Sequence, residues 1–154
     1  MHRPARRSDR VVDVSDAVAL LSIATYGVLS TVGSDGLPYA IPLSYIFRDR
    51  VIYLHCATEG RKLENIKSNP AVSFCVVGHT KTLPNEFATE YESAIASGTA
   101  SLVSGDEKRD ALIAILEKYS PDFMESGLKY LAGKIDAVTV VRIDIDNISG
   151  KARR

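Results

Sequence analysis

The sequence has little of what marks membrane, secreted or disulfide-rich proteins. No apolar run approaches the length that crosses a membrane, and the basic N-terminus lacks the apolar segment of a secretory signal. Only two cysteines occur, Cys56 and Cys75, and both lie inside apolar runs rather than in a C-x-x-C pair. We therefore expect buried thiols in a reducing compartment, a cytoplasmic location and no membrane partner.

Repeats, low-complexity segments and linkers are also absent from the chain. With 154 residues, of which 45% are hydrophobic and 25% charged, the composition is that of an ordinary globular protein. The sequence therefore predicts one domain over residues 13–154, preceded by a basic arm at residues 1–12.

Positive charge is scarce outside the two ends of the chain. The net charge is zero, but four arginines lie within the first ten residues and three cations within the last four. Residues 11–147 carry 12 basic and 18 acidic side chains, a net charge of −6. Nucleic-acid binders usually carry positive charge on the folded body, so we expect no nucleic-acid partner.

Histidine is rare as well, with only three in the chain. His2 lies in the terminal arm and His79 in a predicted loop, whereas His55 ends an apolar run. No second ligand stands near His55 at a metal-binding spacing, so the sequence predicts no metal site. No Ser-His-Asp or Cys-His arrangement is visible either.

The chain does contain one distinctive strand-to-helix stretch in its first half. Residues 51–56 are apolar and rich in β-formers, which predicts a strand. A helix is predicted over residues 59–68, with Thr58 as the N-cap and Leu63 and Ile66 in the buried stripe. A proline then ends the helix, because the residue before a proline is pushed out of the α region.

Two adjacent cations, Arg61 and Lys62, fall in the first turn of this predicted helix. The helix dipole favours anions there, so both side chains work against the helix unless something negative lies between them. Together with Gly60 and the free backbone N–H groups of the turn, they indicate a phosphate site. The alternative is a solvated basic turn without a ligand.

The remaining elements follow from periodicity, capping residues and turn signals. Strands are predicted at residues 26–32, 37–47, 71–77, 91–103 and 136–147, and helices over residues 17–24, after a Ser104–Glu107 capping box, and from Pro121. Residues 78–87 are predicted as a loop and residues 148–154 as a tail. We place Ile23 on a buried helix face, and Tyr119 and Tyr130 in the core.

Two prolines, Pro38 and Pro42, lie inside one predicted strand, and neither can donate a ladder hydrogen bond. Each must therefore lie at a sheet edge, a bulge or a break in pairing. A bulge near Pro42 would free backbone groups to bond a flat heteroaromatic ligand, whereas an edge position would only protect against aggregation. Gly98 marks a second bend or bulge.

Six strands with three or four inserted helices predict a mainly β protein. The strands are short and mostly linked by hairpins, and the helices do not alternate strictly with them. This pattern favours a small closed or nearly closed β-barrel over a doubly wound parallel sheet.

Several of these motifs occur together in a known family. The run Y-G-V-L-S-T-V-x-x-D-G-x-P-Y-A-I-P-L-S-Y, followed by I-Y-L-H-C-A-x-E-G-R-K-L-x-N-I, resembles the pyridoxamine 5′-phosphate oxidase-like flavoproteins. The later segments T-E-Y-E-S-A-I-A-S-G-T-A and I-S-G-K-A-R-R are similar to the nitroimidazole-resistance (Nim-like) branch of that family. The resemblance implies a six-stranded antiparallel split β-barrel of Greek-key topology. It also implies a homodimer that binds FMN, with FAD as a possibility, at the dimer interface.

The resemblance further implies roles for individual residues. Arg61 and Lys62 take the positions that hold the FMN phosphate. His55 falls next to the flavin, where an imidazole could pass a proton, although a structural role is the alternative for this residue. The other implied cofactor positions are Pro42, Leu43 and Ser44 along the flavin ring, Ala57 and Gly60 in the strand-to-helix turn, and Tyr91, Ser93 and Lys151 from the second subunit.

The sequence leaves the reaction open. It predicts an FMN-dependent oxidoreductase that reduces a small, flat acceptor such as a nitroaromatic or nitroimidazole. The alternatives are a flavin-binding carrier, store or sensor without catalysis, and the same barrel with haem or a deazaflavin. Oxidation of pyridoxamine phosphate is not expected, because residues 39–44 (Y-A-I-P-L-S) replace the Arg-x-x-x-x-Lys pattern of the true oxidases. The chain also has no tryptophan and lacks the C-terminal Arg-x-His element of those enzymes.

Overall fold

Alternating apolar residues fold into one antiparallel sheet, with four α-helices packed around it in the part of the chain described. The structure is a computed structural model that describes residues 3–154, so His2 lies outside the described residues. The strands are β1 (Val11–Val12), β2 (Gly27–Val32), β3 (Pro38–Leu43), β4 (Ile46–Arg48), β5 (Val51–Cys56), β6 (Ala71–Leu83), β7 (Ala88–Val103) and β8 (Thr139–Arg153). The helices are α1 (Val14–Ile23), α2 (Arg61–Ser68), α3 (Gly105–Tyr119) and α4 (Met124–Lys134).

The order of the strands closes this sheet into a barrel. Along the sheet the order is β3-β2-β6-β7-β8-β5-β4, so β3 and β4 occupy its two edges. Only Ser44 and Tyr45 separate these two strands in the chain, so the edges meet at that point. The predicted split barrel is confirmed.

The strand count differs from the prediction for two reasons. The single strand predicted at residues 37–47 is interrupted and forms both β3 and β4. β1 is an additional strand, whose Val11 and Val12 pair with Lys151 and Gly150 of β8. The last residues of the N-terminal arm therefore join the sheet, and the domain limit at residue 13 stays a prediction.

Two predicted non-strand segments are wrong. β6 continues to Leu83, which makes most of the predicted loop at residues 78–87 a strand, and β8 continues to Arg153, which makes the predicted tail a strand. Both extensions pair with β7, which itself begins at Ala88. Hydrogen bonds to a neighbouring strand hold these polar residues in the extended form, an effect that local propensity does not reveal.

The prolines take the edge position. β3 pairs with β2 without a register shift from Leu43 to Pro38, so there is no bulge at Pro42. Both prolines occupy alternate positions of an edge strand, where their ring nitrogens can face away from β2. The bulge predicted at Gly98 is confirmed by a register shift between β7 and β8, and a Cβ there would lie 2.0 Å from the carbonyl oxygen of Asp144.

The barrel interior and one outer face form two apolar cores. Within β8, Val141, Ile143 and Ile145 are buried and the intervening aspartates are exposed, as the alternation predicted. The outer face of β5 and β8 packs against α3 through Val51, Tyr53, Val140, Ala111 and Leu112. Within residues 3–154, no helix is both long and apolar enough to cross a membrane.

Three core assignments on the helices need correction. Ile23 and Tyr130 are 75% and 68% exposed, and Tyr119 is only half-buried. α1 instead buries Ala17, Leu20 and Leu21, while α4 buries none of its residues. Helical periodicity identifies an apolar stripe, but the neighbouring elements decide how much of that stripe is covered.

Ser104 is the N-cap of α3 as predicted, but the reciprocal side-chain bonds of the predicted capping box are absent. No side chain caps this helix end. Glu107 accepts a hydrogen bond from the Tyr53 hydroxyl at 2.8 Å and pairs with Arg142 at 2.5 Å, and these contacts lower the pKa of Glu107. Because Arg142 also pairs with Asp144 at 2.7 Å, the network ties α3 to β5 and β8 instead of closing the helix end locally.

Candidate functional site

Helix α2, which follows the turn after β5, begins two residues later than predicted. Gly60, not Thr58, is the N-cap of α2, with a φ of 135° that a residue with a Cβ rarely adopts. The first helical hydrogen bond runs from Glu64 N–H to the Gly60 carbonyl, so the N–H groups of Arg61 and Lys62 have no intrahelical acceptor. No side chain caps this end, so the turn presents free donors.

The residues of this turn line a small cavity of about 170 Å³, which we call the α2 pocket. Its lining consists of Tyr39, Ile41, Cys56, Ala57, Glu59, Gly60, Arg61, Lys62 and Leu63. The Arg61 guanidinium lies 4.5 Å from the centre of the Tyr39 ring, a cation–π contact that holds it in place. Within residues 3–154, no salt bridge involves Arg61 or Lys62, and Glu59 is the single acidic side chain of the lining.

A buried polar contact fixes α2 against the sheet. Asn65 is only 6% exposed, and its side-chain amide donates a hydrogen bond to the Thr31 hydroxyl at 3.0 Å. Ile66 is buried and Leu63 half-buried, as the predicted stripe required. Asn65 and Tyr39 carry no signal in the sequence, because their partners Thr31 and Arg61 come close only when β2, β3 and α2 pack together.

The segment from Pro42 to Ser44 lies at the end of β3, next to the point where the barrel closes. Tyr45 follows directly, fully buried, and its hydroxyl donates a hydrogen bond to the Leu21 carbonyl at the end of α1. Its backbone N–H donates to the Tyr119 hydroxyl at 3.0 Å, and its carbonyl accepts from Lys118 Nζ at 3.1 Å. Burial lowers the pKa of Lys118. These contacts make the backbone beside Ser44 rigid.

The last two residues of β5 line two different cavities. Cys56 lines the α2 pocket, and burial raises the pKa of its thiol. His55, which points to the opposite face of the strand, lines a separate cavity of about 360 Å³ below α3 and α4. Desolvation against this apolar lining, together with the positive charge of Lys62, lowers the pKa of His55 although part of the ring reaches solvent.

The remaining predicted cofactor residues lie elsewhere in the chain. Tyr91 and Ser93 belong to β7 and pair with Arg153 and Lys151 of β8. Ser93 and Lys151 line a third cavity, of about 210 Å³, beside α1. A single chain thus brings Ala57, Gly60, Arg61 and Lys62 into one pocket, leaves His55 in a second and places Ser93 and Lys151 at a third.

Comparison with known sequences places the chain in a family. A sequence profile described as pyridoxamine 5′-phosphate oxidase matches residues 13–152, which is most of the chain. The chain belongs to this family. The resemblance found in the sequence motifs is therefore confirmed, whereas the assigned site residues stay predictions. Among curated proteins, no sequence matches this chain significantly.

Solved structures share the family fold at low sequence identity. A candidate 5-nitroimidazole antibiotic resistance protein from Bacteroides thetaiotaomicron is 21% identical, with a TM-score of 0.75 over 97% of this chain and 95% of that one. A FAD-binding protein from Mesorhizobium loti is 23% identical, with a TM-score of 0.66 over 94% and 98%. A FAD- and haem-binding protein from Mycobacterium smegmatis is 21% identical, with a TM-score of 0.75 over 91% and 71%.

Proposed function

We propose that the protein binds FMN and uses it to reduce a small, flat acceptor such as a nitroaromatic compound. The observation that carries this proposal is the first turn of α2, where Arg61 and Lys62 line a pocket without a salt-bridge partner in residues 3–154 and their backbone N–H groups lack an intrahelical acceptor. A phosphate monoester supplies the negative charge and the acceptors that this turn lacks. Two similar structures are named for binding FAD, which supports a flavin as the ligand, and the choice of FMN is our proposal from the single phosphate that fits this turn.

Arg61 and Lys62 differ in what they contribute to this site. The Arg61 guanidinium is already oriented by Tyr39, so it can bond two phosphate oxygens with little loss of rotamer freedom. Lys62 adds a point charge on the adjacent position. Glu59 opposes both cations and leaves the ionised lining with a net charge of +1.

The segment from Pro42 to Ser44 is the proposed flavin-ring side of the site. Pro42 and Leu43 lie in the same strand as Tyr39 and Ile41 of the α2 pocket, and hydrogen bonds to the backbone of Tyr45 hold the chain directly after Ser44. When bound, FMN would supply the electron transfer. Burial and the positive charge of Lys62 lower the pKa of His55, which favours the neutral imidazole, and in our proposal its ring N–H donates a hydrogen bond to the bound acceptor.

A homodimer is part of the proposal. Ser93 and Lys151 line a different cavity from the α2 pocket within one chain, so they reach the cofactor only from a second copy. The outer face of β6 and β7 carries Val77 and Ile95, which are 55% and 43% exposed and suit an interface between copies. Sedimentation of the purified protein should give the mass of two chains, and a monomer would remove this part of the proposal.

The phosphate assignment is tested by titrating FMN and riboflavin, which differ only in the phosphate. Arg61→Ala and Lys62→Ala should each weaken FMN binding by roughly 1–3 kcal/mol and leave riboflavin binding unchanged. Glu59→Gln should tighten FMN binding. Lys67→Ala, at the far end of α2, is the matched control and should have no effect. Equal losses for both ligands, or no loss for either, would remove the phosphate from this turn.

The catalytic part needs a turnover measurement. The flavin-loaded protein is reduced anaerobically with NAD(P)H and then mixed with a nitroimidazole, with free FMN at the same concentration as the reference. Oxidation of the protein-bound flavin faster than that of free FMN supports the oxidoreductase. Flavin binding without such turnover would instead indicate a carrier, store or sensor, and titration with FAD decides which flavin is preferred.

A further inference from the structure

The cavity beside His55 has the properties of a ligand site of its own. Its volume is about 360 Å³, within the usual range for small-molecule pockets. Most of the lining is aliphatic, from Leu112, Ile115, Leu116, Leu131, Ala137 and Val138. We refer to it as the α3–α4 cavity.

Beside this cavity, the apolar face of helix α4 is only partly buried. None of its residues is buried, Leu128 is 40% exposed, and Leu131 is only half-buried at the cavity wall. Close approach to α3 occurs at Gly127, where a Cβ would lie 3.2 Å from a methyl carbon of Leu116. Short helices in proteins depend on a buried apolar face, so a molecule in the cavity would supply burial that the chain does not.

The polar part of the cavity lining is positively charged. Its polar side chains are His55, Tyr130 and Lys134, and no carboxylate is part of the lining. No salt bridge involves Lys134 anywhere in residues 3–154. A single lysine and a phenol hydroxyl, both donors, at the rim of an aliphatic pocket complement a ligand with an apolar body and one anionic group.

We propose that the α3–α4 cavity binds a small aromatic monocarboxylate, with the ring against the aliphatic wall and the carboxylate at Lys134 and Tyr130. A single lysine matches one carboxylate charge, and the aliphatic side chains of the lining match the apolar ring. The site does not rest on the flavin proposal, since Arg61, Lys62 and the rest of the α2 turn lie outside its lining.

Two ligands with the same carbon skeleton, one with an anionic carboxylate and one with a neutral hydroxyl, test the proposal. Cinnamate and cinnamyl alcohol are titrated into the isotope-labelled protein, as purified, and followed by amide NMR shifts. Both ligands should give saturable shifts confined to α3, α4 and the end of β5, with cinnamate about fivefold tighter. Lys134→Met should bring cinnamate to the affinity of the alcohol and leave the alcohol unchanged.

The matched control is Lys129→Met in the same helix, whose side chain is 79% exposed and lies 3.9 Å from Glu125. It should not change either affinity. Ala137→Phe fills the cavity and should lower the affinity for both ligands at least tenfold, with folding checked by thermal unfolding.

Some results overturn the proposal. Cinnamate binding no tighter than the alcohol, or unaffected by Lys134→Met, rejects the carboxylate site, and the absence of saturable shifts for either ligand rejects the cavity as a ligand site. The Arg61→Ala/Lys62→Ala double variant separates the two proposals, because it should lose FMN affinity and still bind cinnamate with the wild-type affinity.

Discussion

Replacing Tyr45 by phenylalanine tests the contact that closes the barrel. The Tyr45 side chain is fully buried, and its hydroxyl donates a hydrogen bond to the carbonyl of Leu21. That carbonyl belongs to the last turn of α1, where carbonyls have no intrahelical partner. Tyr45→Phe removes one oxygen atom and leaves a buried carbonyl unsatisfied, so the free energy of unfolding should fall by about 1–3 kcal/mol.

Urea unfolding measures this loss. The midpoint should fall while the slope with denaturant stays constant, because the surface exposed on unfolding does not change. A loss of about 2 kcal/mol corresponds to a fall of roughly 4–8 °C in Tm for a chain of this size. Tyr26→Phe is the matched control, since Tyr26 is 58% exposed, and it should change stability by less than about 0.5 kcal/mol.

Lys118 takes part in the same set of contacts around Tyr45, so a double variant tests whether the two side chains act together. Its Nζ donates to the carbonyls of Ala24 and Tyr45 at 2.7 Å and 3.1 Å and lies 4.0 Å from the centre of the Tyr45 ring. Because the two side chains touch, Tyr45→Phe and Lys118→Met should be non-additive by about 0.5 kcal/mol or more. If Tyr45→Phe is as stable as Tyr26→Phe, the Leu21 carbonyl does not depend on Tyr45 and the reasoning is refuted.

Two further predictions concern pH and backbone packing. The pKa of His55 is lowered below its usual 6.5, so the unfolded chain binds its proton first, and stability should fall as pH drops from about 6.5 to the folded pKa. Lys62→Met should raise that pKa in an NMR titration, and an unchanged value would contradict the assigned cause. Gly98→Ala should destabilise by about 1–3 kcal/mol or more in urea unfolding, because the new methyl would meet the Asp144 carbonyl at 2.0 Å. Gly133→Ala, with nothing within 4 Å of its Cβ, should instead be neutral or stabilising, and equal effects of the two would show that packing is not the reason.

The amino-acid sequence determined the features that depend on a few neighbouring residues. Alternation placed Val141 and Ile143 inward, Gly98 marked a bulge, and the order of motifs identified the family. The Arg61-Lys62 pair at a helix start already indicated an anion, because the helix dipole and the side-chain charges are both local properties.

The tertiary structure decided the features that depend on a partner far along the chain. Glu107 lies three residues from its predicted partner Ser104, yet it bonds Tyr53 and Arg142, since a strong cation and a hydroxyl on neighbouring strands replace the local cap. β6 and β8 are longer than their propensities suggest because both extensions pair with β7.

The candidate site likewise combines residues that the sequence identified with residues that only the tertiary structure revealed. Gly60, Arg61 and Lys62 were found from the sequence, whereas Tyr39 under Arg61 and Asn65 against Thr31 were not. Residues 39 and 61 meet only after β2, β3 and α2 have packed, and no local pattern encodes a contact of that sequence separation. The sequence alone therefore determined the charge and position of the proposed anion-binding turn, and only the tertiary structure decided what orients it, because orientation comes from packing between elements.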